Sequence, residues 1–226
     1  MSGMDGEQRR ARLAEARLYF ISDDRPGDRP LTDVLRPALA GGVDLFQLRM
    51  KDRSDDEVLA AADVARGLCA DAGALFFVND RPDLAVAAGA DGVHVGQDDM
   101  AVDEARALVG ADRLVGQSTH SALQIDAATA DLIGVGPIHA TPTKRWRPAV
   151  GLGVAVHAVA HARIPWFAIG GINERNARDV VAAGARRLAV VRAIAEAEDP
   201  AAAAYRLKAM TAAAPLEAHG PTQPQT

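Results

Sequence analysis

Gln47, Arg49 and Lys51 recur at every second position, and Thr141, Thr143 and Lys144 crowd a stretch that opens with Gly136-Pro137. Two hydroxyls and an ammonium, with Pro142 stiffening the chain between the hydroxyls, suit an anionic ligand, although a polar surface loop uses the same residue types. The polar set around Arg49 alternates with Phe46, Leu48 and Met50, so it shares one side of a strand. Strands of a parallel sheet are apolar on both faces. A polar side therefore has to point toward water or a ligand. An inward Arg needs an anionic partner, which is either a bound anion or an acid from a neighbouring strand.

Asp80 and Asp99 each stand just beyond an apolar run, 75–79 and 92–95, with Asn79 beside the first and Asp98 beside the second. Two carboxylates at adjacent strand ends suit one hard cation, and Mg²⁺ is commonly held by one or two carboxylates together with a substrate phosphate. Each Asp is equally suited to cap the helix that follows it. Ser118, in Gly116-Gln117-Ser118-Thr119-His120, either binds a phosphate oxygen or starts a helix. Gly170-Gly171 and Val191-Arg192 end two further runs. Paired glycines admit an anion close to the backbone N–H groups, and a helix N-terminus adds its dipole; they also serve as plain turns. The residues thus suggest two anion sites. One, near Arg49, Lys51, Asp80, Asp99 and Lys144, suits a metal-bound diphosphate; the other, near Gly170, Gly171 and Val191, suits a monophosphate. No Ser–His–Asp order stands out. His157 and His161 lie four apart on a predicted helix. With no third ligand visible in the sequence, they read as a solvated helix face and not a zinc site.

The elements that must position these groups follow a regular plan. Apolar runs at 18–22, 44–49, 75–79, 92–95, 114–116, 131–135, 165–169 and 187–191 are each followed by a helical pattern. Ser54 with Glu57 forms a capping box for one of them. Eight alternating units with short turns predict a single-domain (β/α)₈ TIM barrel, an α/β fold whose ligands bind where strands end and whose loops after strands seven and eight often hold phosphate. A doubly wound open sheet is the alternative, but the first strand lacks a Gly-rich phosphate fingerprint. The barrel is expected over residues 18–214. A charged extension, 1–17, precedes it, and a tail, 215–226, lacks core residues.

The 226 residues are 49% hydrophobic and 24% charged, an ordinary globular composition. A net charge of −5 argues against a nucleic-acid footprint. Any anion must then be held by local cations and backbone N–H groups. The one cysteine, Cys69, sits on the apolar side of a predicted helix and reads as a packing thiol. With no disulfide possible within the chain, no signal peptide visible and no bilayer-length apolar run, a cytoplasmic location is expected.

Taken together, these residues resemble the thiamine-phosphate synthase family. The matching stretches are 18–22, Gln47-Leu48-Arg49-Met50-Lys51, Asn79-Asp80-Arg81, 92–99, 116–120, 136–144, Gly151-Leu152, 168–171 and 190–194. Each is weak alone; their order and spacing are specific, and the likeness runs from Leu18 to about Leu207. The resemblance implies an Mg²⁺-dependent (β/α)₈ enzyme. Such an enzyme joins 4-amino-5-hydroxymethyl-2-methylpyrimidine diphosphate to 4-methyl-5-hydroxyethylthiazole phosphate, giving thiamine phosphate and diphosphate, with the diphosphate leaving first. It further implies that Gln47 holds the pyrimidine, and that Arg49, Lys51, Asn79, Ser118 and Lys144 hold the diphosphate. Asp80 and Asp99 would bind Mg²⁺, while Thr141, Thr143, Gly171 and the backbone at Val191 and Arg192 would hold the thiazole phosphate. Arg192 stands where a small hydroxyl residue is frequent, and His139-Ala140 replaces a more usual aromatic–proline pair. The long loop through Trp146 is expected to close over bound substrates. A related barrel that isomerises a thiazole without coupling, and a non-catalytic sensor of thiamine precursors, are the rival readings. Retention of Arg49, Lys51, Asp80 and Asp99 together argues against the first, and a metal site for a leaving group against the second.

Overall fold

A computed structural model describes residues 4–141 and 148–212. Eight parallel strands close into a barrel in chain order: β1 (Leu18–Ser22), β2 (Leu45–Leu48), β3 (Leu75–Asn79), β4 (Gly92–Val95), β5 (Leu114–Thr119), β6 (Leu132–Val135), β7 (Trp166–Ile169) and β8 (Leu188–Val190). β1 pairs with β8, which completes the ring. The helices are α1 (Gly6–Glu15), α2 (Leu31–Ala40), α3 (Asp55–Ala72), α4 (Pro82–Ala87), α5 (Val102–Val109), α6 (Ala122–Asp126), α7 (Gly153–His161), α8 (Ala177–Ala182), α9 (Arg192–Ala195) and α10 (Pro200–Thr211). Among the described residues, no helix is long and apolar enough to cross a membrane.

The period of two along each strand separates two apolar layers. Phe20, Phe46, Leu48, Phe76, Val78 and Val93 face the helices and join one continuous core with Val34, Leu35, Ala62 and Ala105. Tyr19, Leu45, Leu75, Phe77, Leu114, Leu132 and Phe167 face inward and fill the barrel. Each fully buried Phe or Leu in these layers contributes about 2 kcal/mol from burial alone. Two inward glycines make room for rings on the neighbouring strand. A Cβ at Gly92 would lie 2.6 Å from the Phe77 ring, and one at Gly116 would lie 2.6 Å from the His94 ring.

Several elements differ from the sequence reading in extent. β5 runs on to Thr119, past Gly116. α6 is a helix of only 5 residues. α8 starts at Ala177, later than the expected Asn173 cap. Between them, Asn173 and Asn176 use their side-chain oxygens on loop N–H groups, holding a turn where the pattern suggested helix. α9 follows β8 directly and is too short for periodicity to reveal. Pro37 lies inside α2 without ending it. Residues 6–15, within the stretch read as an extension, form a helix opened by a capping box of Asp5 and Gln8. Its Leu13, with Ala16 just beyond, packs into the inward-facing cluster, so this helix closes the N-terminal end of the barrel.

Candidate active site

At the other end, where the strands finish, a cavity of about 290 Å³ opens into the barrel. Its wall is built from the inward positions of successive strands: Gln47 and Arg49 at β2, Asn79 at β3, His94 at β4, Ser118 at β5, and Gly134 and Gly136 at β6. The alternation that begins with Leu45 thus carries Gln47 and Arg49 inward, as the sequence predicted. Arg49 is fixed by its backbone, whose N–H donates to the Ser22 carbonyl at 2.7 Å. Among the described residues its guanidinium has no ion-pair partner. The alternative of a structural pair with a neighbouring acid is therefore not what the fold builds.

Below Arg49 lies a line of hydrogen bonds. The Tyr19 hydroxyl donates to Gln47 Oε1, and Gln47 Nε2 donates to Asn79 Oδ1 at 2.5 Å. Gln47 is only 2% exposed, so these bonds set which way its amide faces. Burial pushes the Tyr19 hydroxyl well above its ordinary pKa, keeping it a neutral donor. On the facing wall, His94 Nε2 lies 3.1 Å from Ser118 Oγ, and Gln97 Nε2 donates to the Ser118 carbonyl at 2.7 Å. Ser118 is therefore part of β5, and the helix after it is capped by Ser121 instead. Tyr19 and His94 had escaped the sequence reading. Each is a lone polar-tipped residue in an apolar run, and only its shared inward parity with Gln47 could have marked it.

Lys51 lies past the end of β2 and does not line the cavity. Its ammonium reaches sideways to Asp80 Oδ2 at 3.1 Å. Asp99 comes within hydrogen-bonding reach of the same carboxyl. Burial raises the Asp80 pKa, Lys51 pulls it down, and Asp99 adds to the burial. Neither acid caps a helix: the N-cap residues of α4 and α5 are Arg81 and Ala101, neither with a side-chain cap bond. Asp99 Oδ2 instead accepts the Gly96 N–H at 2.9 Å. Asp80 has φ 60°, a left-handed conformation costing about 1 kcal/mol. Its N–H is tied to the His94 carbonyl at 2.8 Å. Next to it Arg81 forks across Asp55 and Asp83, joining the loops after β2 and β3. Two carboxylates thus lie close together, with the Lys51 ammonium on Asp80 and the Gly96 N–H on Asp99.

Across the cavity lie Thr141, Gly170, Gly171, Val191 and Arg192. The loop after β6 is laced to the end of β7: the Ile138 N–H donates to the Ile169 carbonyl at 2.8 Å, and the His139 N–H to the Gly170 carbonyl at 3.0 Å. This closeness demands glycine. Gly170 has φ +102° and a Cβ there would sit 2.4 Å from Pro137; Gly171 has φ +62° and a Cβ would sit 2.7 Å from the Ala140 carbonyl oxygen. Asn173 and Asn176 both donate side-chain N–H bonds to the Gly171 carbonyl, at 3.3 and 2.9 Å. Among the described residues the Gly171 N–H has no partner. The Arg192 side chain is exposed at the rim. Thr143, Lys144 and the Trp146 loop lie outside the described residues.

The mouth therefore brings together Gln47, Arg49, Asn79, Ser118, Thr141, Gly171, Val191 and Arg192 around one cavity, with Lys51, Asp80 and Asp99 as a charged group on its rim. A family model described as thiamine monophosphate synthase matches residues 18–194. A thiamine-phosphate synthase of Thermobifida fusca is 51% identical over 214 residues, covering 92% of this chain and 98% of that protein. One from Saccharopolyspora erythraea is 48% identical over 219 residues, covering 92% and 98%. Among solved structures, a thiamine phosphate pyrophosphorylase from Pyrococcus furiosus superposes with a TM-score of 0.79 at 34% identity, covering 88% of this chain and 96% of that one.

Proposed function

The chain belongs to the thiamine monophosphate synthase family, transferases of thiamine biosynthesis, and from that premise we propose the reaction it performs. It joins 4-amino-5-hydroxymethyl-2-methylpyrimidine diphosphate to 4-methyl-5-hydroxyethylthiazole phosphate. The bond from the pyrimidine methylene carbon to the diphosphate oxygen breaks, and its electron pair leaves with the diphosphate. The thiazole nitrogen then gives its lone pair to the methylene carbon, forming thiamine phosphate. The observation that carries this reading is the Arg49 guanidinium, without an ion-pair partner among the described residues, lining the cavity between an oriented amide line and a double-glycine turn.

The protein's share of the work is positioning and electrostatics. Gln47, held by Tyr19 and Asn79, keeps one lone pair and one N–H for the polar edge of the pyrimidine. Arg49 and Lys51, with the Asn79 amide and the Ser118 hydroxyl, receive the charge of the leaving diphosphate. On the far wall the Gly171 N–H, the Thr141 hydroxyl and the backbone at Val191 and Arg192 hold the phosphate of the thiazole. This fixes its nitrogen toward the methylene carbon. Two adjacent carboxylates with one ammonium fit a hard divalent cation, so Asp80 and Asp99 would hold Mg²⁺. When bound, that ion supplies positive charge to the departing diphosphate. No protein nucleophile is required, because the aminopyrimidine ring stabilises the methylene cation itself.

The test is an end-point assay with both substrates. Thiamine phosphate should form with Mg²⁺ and fall to a trace with excess chelator. Absence of product with both substrates and Mg²⁺ would reject the assignment.

A further inference from the structure

Far from the mouth, on the outer wall, α6 and α7 lie side by side. α6 ends at Asp126, and α7 presents His157 and His161 one turn apart on a common face. Asp126 Oδ1 is 2.8 Å from His157 Nε2. The two imidazole rings are stacked, with centroids 4.2 Å apart and planes within 8° of parallel. One ligand atom from each of the three residues falls within 4.8 Å of the other two. The helical spacing alone gave two ligands; the fold supplies the third from a different helix.

We propose that Asp126, His157 and His161 form a second metal site, one that takes a borderline transition-metal ion such as Zn²⁺ and staples α6 to α7. Two imidazole nitrogens and one carboxylate oxygen are the donor set of zinc, nickel or copper and a poor one for Mg²⁺, which demands oxygen. Metal–ligand bonds of roughly 2.0–2.2 Å require the three donor atoms to surround one point, so from their present spacing, within 4.8 Å of one another, the side chains must draw closer on binding. Solvent fills the fourth tetrahedral position, since Asp126 and His161 are exposed. None of the three residues touches the mouth cavity, so the ion's role is structural. α6 has only 5 residues and lacks the length to hold itself. A cross-link from its last residue to α7 would secure the outer wall behind the strand that carries Ser118.

The experiment uses the full-length chain without an affinity tag, stripped with chelator. Zn²⁺ is titrated by calorimetry, Co²⁺ is added for its visible d–d absorption, and melting is followed with and without Zn²⁺. One tight equivalent of Zn²⁺, a tetrahedral-type Co²⁺ spectrum and a rise in Tm of roughly 5 °C at a hundredfold excess over Kd are expected. His157→Gln and His161→Gln should each abolish the tight site and the Tm rise, and Asp126→Asn should weaken it by about tenfold or more. The Asp80→Asn, Asp99→Asn double variant should retain it. No tight Zn²⁺ binding would overturn the proposal. So would binding that survives both histidine changes, or binding that disappears with the pair at the mouth. Circular dichroism of each variant confirms that it is folded before its titration is read.

Discussion

The two ends of the barrel use the same kinds of charge in opposite ways. At the N-terminal end, an Asp stands just before β2, β4 and β6, and each performs the same double task. Asp44 accepts the N–H groups of Arg17 and Leu18 at 2.8 and 3.0 Å and pairs with Lys208 at 2.6 Å. Asp91 accepts the Phe76 N–H at 3.0 Å and pairs with Arg9 at 2.9 Å. Asp131 accepts the Val115 N–H at 2.8 Å and pairs with Arg106 and Arg10. Each of these three acids latches the start of its strand to the strand before it and is paired with a cation. At the C-terminal end, the Arg49 guanidinium has no ion-pair partner among the described residues, and Lys51 pairs with Asp80, whose carboxyl also lies close to Asp99. The first arrangement is complete without a ligand. The second is not: among the described residues the Arg49 guanidinium lacks an ion-pair partner and two acids lie close together. Charge completeness therefore separates the end that holds the barrel from the end that works.

This contrast is best broken by substitution at each end. Arg49→Ala and Asp80→Ala should each lower kcat by roughly 10²–10³-fold, the scale of losing one preorganised electrostatic contact to a leaving group, with Tm little changed. Turnover near the parent's in either variant would remove these residues from the site. Asp91→Ala should do the reverse. It strands Arg9, whose side chain and that of Asp91 are 10% and 13% exposed, and costs about 3 kcal/mol. Thermal melting should show a fall of roughly 6–12 °C, while kcat measured well below the new Tm stays at the parent level. Smaller again is Gly171→Ala. A methyl at φ +62° facing the Ala140 carbonyl must shift the turn. KM for the thiazole phosphate should rise about tenfold with KM for the pyrimidine diphosphate unchanged, a split that initial-rate kinetics resolves. The smallest effect concerns Cys69, whose buried thiol is pushed far above its ordinary pKa. A thiol reagent should leave it unlabelled in the folded protein and label it fully in denaturant; rapid native labelling would place it nearer the surface than the fold does.

Much of the mouth was legible in the sequence, because alternation is a strong signal when polar residues break an apolar strand. It placed Gln47 and Arg49 inside the barrel and carried the eight-strand plan. The same parity failed at Lys51, since β2 ends at Leu48 and the rule lapses with the strand. Tyr19 and His94 were passed over for the opposite reason: one polar tip in an apolar run looks like packing until its neighbours across the sheet are known. The latches at Asp44, Asp91 and Asp131 were also unread, because an acid before a strand looks like any loop residue. Only the closed topology shows that the three do one job. The third ligand beside His157 and His161 depended likewise on which helices lie next to each other.

In the proposed reaction, the charges of the mouth draw off a diphosphate. The direct measurement is the initial rate of thiamine phosphate formation at saturating Mg²⁺ and both substrates, in the parent and in the Asp80→Ala, Asp99→Ala double variant. Rapid product is expected from the parent, and a rate lower by roughly 10²-fold or more from the folded variant. Equal rates in the two proteins would contradict that role.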